Sequence, residues 1–166
     1  MKNIIKKIIS PITMTHWSSD LLFAFPRILC GYFLAVNFGG SKFGVPWSPE
    51  GSSDLAFLEV VEWFPKDIAE YGGIFSMFPV FFAWMGASSE AIGGIFLLLG
   101  FKTRIASFFI LCTMLVAIIF QKSDNGLWAM LPAMGFLWIA IYNLILGSGK
   151  FGIDYLISKK WFKKTQ

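Results

Sequence analysis

The chain has 166 residues with 56% hydrophobic, 18% aromatic and only 14% charged residues, and a net charge of +4. A soluble domain carries about 25% charged residues, so a soluble chain of this size could not cover its own apolar surface, and the membrane class is the one that fits. Basic residues are not interleaved with aromatics in a polar setting, so nucleic acid is not an expected partner. The two cysteines, Cys30 and Cys112, fall in apolar runs, and with His16 as the lone histidine there is no metal-ligand spacing.

The N-terminus, MKNIIKKIIS, has the positive start of a signal peptide. Its apolar part is short and broken by lysines, so it is expected to be retained as a basic amphipathic segment on the membrane. Ser18, Ser19 and Asp20 predict a helix start, and the first span runs over about 21–41. Pro26 should kink it by removing a backbone donor. Residues 43–72 form the long polar connection. In it, Ser53 or Asp54 can cap a short helix, 55–64, that continues past Pro65. Glu59, Glu62, Lys66 and Glu70 recur there at intervals of three or four, with Leu55, Leu58 and Val61 on the other side. That pattern predicts an amphipathic surface helix with its acidic face in water.

The second span covers about 73–100, the third 105–120 and the fourth 127–146. The tail, 150–166, mixes five lysines with Ile153, Leu156, Ile157, Trp161 and Phe162, a second basic interfacial segment. The expected fold is therefore all-α: an integral membrane four-helix bundle with one outer and one cytoplasmic amphipathic surface helix, in a single domain. Ten of the 14 cations fall on the side of the termini and the 102–104 connection, and Lys42, Lys66 and Lys122 on the other. This bias predicts both termini in the cytoplasm and the acidic helix outside. Five of the seven tryptophans (Trp17, Trp47, Trp63, Trp128 and Trp161) fall near span ends, as interfacial anchors do. Trp84 and Trp138 are placed inside spans.

Ionisable groups within spans are costly and point to function. Glu90 sits near the middle of the second span. Arg27 lies roughly 10 Å and Glu90 roughly 15 Å above the cytoplasmic face, at about 1.5 Å per residue. The two are expected to pair; the competing readings are a purely structural register pin and an Arg27 that snorkels alone. Ala83, Ala87 and Ala91, with Ser89, Gly93 and Gly94, form a small-residue seam that puts Glu90 near a helix interface. The seam leaves packing within one chain and between copies both open. Asn37, Lys42 and Gln121 toward the outer face, and Asn143 near the inner one, are the other candidate polar-core residues. They could line an outward-opening pocket that narrows to Glu90. Cys30 and Cys112 lie at similar depth and read more readily as small buried hydrophobes than as a redox pair.

The chain resembles the DoxX family of small four-span bacterial membrane proteins over roughly residues 20–160. The resemblance is carried by Arg27 with Gly31, by Gly39-Gly40-Ser41-Lys42-Phe43, by Glu90-x-x-Gly93-Gly94 with Leu97-Leu98-Leu99-Gly100-Phe101-x-Thr103-Arg104-x-Ala106, and by Gly147-x-Gly149-Lys150-Phe151-x-x-Asp154. Where many relatives have histidines, this chain has Asn37 or Phe38 and Gln121 with Lys122. The resemblance implies a bacterial inner-membrane bundle that is accessory to quinone-linked or thiol redox chemistry. The sequence has no flavin, nicotinamide or haem motif and no intrinsic cofactor, so redox work needs a partner subunit. The expected ligand is a quinone-like lipid, and the expected partners are the lipid bilayer and a second protein or a second copy of this chain. Related four-span folds act as cargo receptors and chaperones, which keeps an assembly role open. A proton-coupled transporter is disfavoured by the lack of repeats and broken half-helices.

Overall fold

The computed structural model describes residues 10–49, 55–122 and 126–162. The amphipathic reading of the N-terminus, apart from Ser10, and the caps at Ser53 and Asp54 lie outside them. The helices are α1 (Trp17–Tyr32, running on as a π-helix, Phe33–Gly39), α2 (Trp63–Glu70), α3 (Gly73–Met77), α4 (Pro79–Leu99), α5 (Thr103–Val116, with a π-helical extension, Ala117–Lys122), α6 (Leu127–Leu146) and α7 (Ile153–Phe162).

Four stretches, Trp17–Gly39, Pro79–Leu99, Thr103–Gln121 and Leu127–Leu146, are long and apolar enough to cross a bilayer. Their side chains are distributed inside out. Leu22 (74%), Phe25 (65%) and Ile145 (60%) are largely exposed, whereas Arg27, Glu90 and Ser107 are buried. Apolar surface of this extent is stable only against lipid, and the chain is a multi-pass, all-α membrane protein.

The spans run antiparallel in the order one to four, each packed on the next, and the fourth closes on the first. The backbone amide of Ile12 donates to Leu146 O at 2.8 Å, so the segment before α1 and the end of α6 share one end of the bundle, here the terminal end. The described parts of the long connection, 40–49 and 55–78, occupy the opposite, loop end.

Three boundaries differ from expectation. The second span starts at Pro79, not at residue 73, because the residue before a proline is kept out of the helical region and Phe78 has φ −135° and ψ 56°. The surface helix starts at Trp63, not at residue 55. Residues 55–62 are irregular, with Val60 bridging to Phe43. Pro65 fits in the first turn of α2, where its missing N–H costs nothing. The third span starts at Thr103, two residues early, after the left-handed Gly100 and Lys102. The chemistry of the surface helix is as expected: Glu59, Glu62, Lys66 and Glu70 are exposed, while Phe64 and Ile68 turn inward.

The seam is used within the chain. Gly31, Ala35 and Gly39 on the first span recur every four residues and face Ala91 and Gly94 of α4. A Cβ on Gly94 would lie 2.6 Å from Ala35 N, and one on Gly39 would collide with the Ala91 backbone. Without side chains between them, the two backbones touch. Phe43, Phe64 and Ile68 then pack on Ala83, Ala87 and Ala91, seating α2 across the loop end of α4.

Candidate functional site

The close approach of the first span to α4 brings Lys42 to Glu90. Lys42 lies in the turn three residues past the end of the first span, and its carbonyl is fixed by the Val61 amide at 3.0 Å. Its ammonium lies 2.6 Å from Glu90 Oε2, with side-chain exposures of 14% and 5%. The Phe64 ring lies 5.1 Å below the same nitrogen, adding a cation–π contact. Two charges removed from water hold only when paired. The single bond still leaves donors on Lys42 Nζ and acceptor capacity on the Glu90 carboxylate.

That pair forms one wall of a cavity of about 200 Å³ between α2, α4 and α5. Tyr71, Thr113, Gln121 and Cys112 add polar groups to it, and Ile68, Phe75, Phe82, Met85, Val116 and Ala117 make the rest apolar. Four rings cluster at this place. Tyr71 stacks on Phe120 (centroids 5.6 Å apart, planes at 22°), and Phe75 packs edge-on against Phe120 at 5.2 Å and tilted against Phe82 at 4.8 Å. Burial, with Asp67 and Glu70 nearby, pushes the Tyr71 phenol up to about 12, so it stays a neutral O–H donor at physiological pH. Ser89 and Thr113 hydroxyls are 2.6 Å apart and tie α4 to α5 beside the cavity. The cavity, about 200 Å³, is smaller than the roughly 300–1,000 Å³ of drug-sized sites and has room for no more than a ring or a head group.

Arg27 does not pair with Glu90. It turns toward the terminal end, where Nη1 donates to Leu97 O and, at 3.0 Å, to Leu98 O, and Nη2 to Phe151 O at 2.9 Å. The Leu97 and Leu98 carbonyls are in the last turn of α4, which has no following helical amides to bond them, and the Phe151 carbonyl precedes α7. Glu90 lies seven residues before Leu97, about 10 Å higher along the helix. The expectation failed because the depth estimate ignored side-chain direction, and a cation gains more at a helix C-terminus. Asp154 does the converse at the start of α5, accepting the Lys102 and Thr103 amides at 2.8 and 2.9 Å while its own amide donates to Gly100 O. Arg27 and Asp154 thus clamp the 100–102 turn from both sides.

A family model for DoxX matches residues 22–123, more than half of the chain. The chain belongs to the DoxX family. No curated protein and no solved structure matches it. The DoxX match contains every residue lining the loop-end cavity as well as Arg27, while Asn143 and Asp154 lie beyond it.

Of the residues singled out in this DoxX-family sequence, Lys42, Glu90 and Gln121 meet in one cavity. Asn37 is exposed on the outer side of the first span and takes no part. Asn143 is buried at the terminal end and donates to Ile139 O at 2.8 Å. Cys30 is half-buried, whereas Cys112 is exposed and borders the cavity, so neither is the fully buried hydrophobe expected; both thiols are free. Trp84 and Trp138 lie inside spans but face outward, 43% and 56% exposed. Sequence reasoning missed Tyr71, Phe75 and Thr113. The aromatic spacing Tyr71, Phe75, Phe82 was visible, but only the break at Phe78 folds it back over α4. It also missed the Gly31–Ala35–Gly39 seam, whose four-residue repeat was there to be read.

Proposed function

We propose that this DoxX-family protein is an accessory, non-catalytic membrane subunit of a quinone- or thiol-linked redox system, and that its loop-end cavity holds the ring of a quinone-like lipid. The observation that carries this reading is the Lys42–Glu90 pair set among stacked aromatic rings. A flat ring fits between Tyr71, Phe75 and Phe82, and quinone carbonyls accept from Lys42 Nζ and from the Tyr71 phenol. The isoprenoid tail leaves through the apolar side toward lipid. Electrons reach such a ligand from a partner protein that bears the redox centre, and the exposed Glu59, Glu62 and Glu70 are the surface offered to it. In this reading the protein sits in the bacterial inner membrane; the cation bias supports cytoplasmic termini, which would put the cavity in the outer leaflet.

The test is binding of a short-tail benzoquinone to the detergent-purified full chain, read by quenching of tryptophan fluorescence. Glu90→Gln and Tyr71→Phe are expected to weaken it by about tenfold or more, the scale of one lost charge-assisted or buried hydrogen bond. A wild-type protein that carries no quinone from its membrane and takes up none on titration would rule this reading out.

A further inference from the structure

A second cavity of about 200 Å³ lies at the terminal end, between the start of α1 and the end of α6, and the redox reading makes no use of it. Arg27 and Asn143 line its inner wall. Arg27 is 1% exposed, and although both terminal nitrogens are bonded to carbonyls, its Nε–H has no hydrogen-bond partner among the described residues. Asn143 is 7% exposed and spends one amide hydrogen on Ile139 O, which leaves its second N–H to the cavity. A buried donor without an acceptor is destabilising, so the recess suits an acceptor from beyond the described residues.

The surroundings identify that acceptor. Leu22, Phe23 and Tyr142 also line the cavity and are 74%, 47% and 51% exposed, so its outer side faces lipid. Its depth, at the ends of two spans, is that of the head groups. The one carboxylate in its wall, Asp20, is already held by Lys150 Nζ at 3.1 Å and by the Met14 amide at 3.2 Å. The Asp154 carboxylate, which also acts on Arg27, is occupied by the two amides at the start of α5. We propose that this recess binds the phosphodiester of a glycerophospholipid, with Arg27 Nε–H and Asn143 Nδ2–H donating to its oxygens and the acyl chains lying over Leu22 and Phe23.

The experiment is native mass spectrometry of the delipidated full chain, titrated separately with dioleoyl phosphatidylglycerol, dioleoylglycerol and inorganic phosphate. One phosphatidylglycerol should bind per chain, at least about tenfold more tightly than either other probe. Asn143→Leu, which keeps the side-chain size and leaves the Arg27 clamp alone, should weaken phosphatidylglycerol by about the same factor, and Glu90→Gln should not change it. Equal binding of dioleoylglycerol would make the recess merely apolar, and equal binding of inorganic phosphate would make it a free-anion site. Either result, or an unaffected Asn143→Leu, overturns the proposal. The redox reading stands or falls separately, on Glu90 and the quinone.

Discussion

Arg27→Met should leave a protein that barely folds. The substitution removes the side-chain donors from Leu98 O and Phe151 O, and one of two donors from Leu97 O, which keeps the Gly100 amide at 3.2 Å; each acceptor left without a donor costs about 1–3 kcal/mol. The sum, about 2 kcal/mol at the least, is a large part of the stability of a small domain. The loss is concentrated at one place. Without the guanidinium, the end of α4 keeps its glycine cap, in which Phe101 N donates to Phe96 O at 2.9 Å, and the Asp154 side of the clamp. The tail carrying Asp154 also loses one tie to the first span and keeps the one from Lys150 to Asp20. Arg27→Lys keeps the charge but offers one nitrogen where the fork offers two, and should fall between Met and wild type. Monodispersity and thermal unfolding in detergent measure this. An Arg27→Met protein as stable as wild type would mean that the clamp contributes nothing.

The second large effect separates stability from binding. Lys42→Met and Glu90→Leu should each destabilise by about 3–5 kcal/mol, because each leaves one buried charge without its partner. The double variant should recover most of that loss, since an apolar pair of similar volume replaces a desolvated ion pair at little net cost. Benzoquinone binding should be absent in all three. Recovered stability without recovered binding is the signature of a pair kept for a ligand. If the double variant stays as unstable as the singles, the pair serves the fold, and its place in the cavity wall is incidental.

Much of the architecture was legible because the bilayer imposes it. Length and hydropathy mark the four spans, and the fourth matches the expected 127–146 residue for residue. Boundaries failed where a local backbone rule outweighed hydropathy, as at Pro79 and Pro65. The site was legible in its membership and not in its pairing. Glu90 stood out as an isolated carboxylate in apolar surroundings, and it is buried. Its partner was missed because Lys42 reads as the end of a span. The first span reaches Glu90 with its last turn only because Gly39 lets the two backbones meet, and because the π-helical turn redirects the chain. In that turn Ala35 O accepts the Gly40 amide and Trp47 Nε1 at 2.9 and 3.1 Å. Arg27 was rightly seen as buried, but its partners are carbonyls, and carbonyls carry no mark in a sequence. The same holds for Asp154, whose work is done on two backbone amides.

Everything proposed for the loop end requires that Glu90 answers to Lys42 and not to Arg27. Paired charge reversals decide this through thermal unfolding in detergent. Lys42→Glu combined with Glu90→Lys should regain a coupling of roughly 0.5–3 kcal/mol over the sum of the single changes. Arg27→Glu combined with Glu90→Lys should regain none. Rescue by the Arg27 swap, with none by the Lys42 swap, would contradict the account.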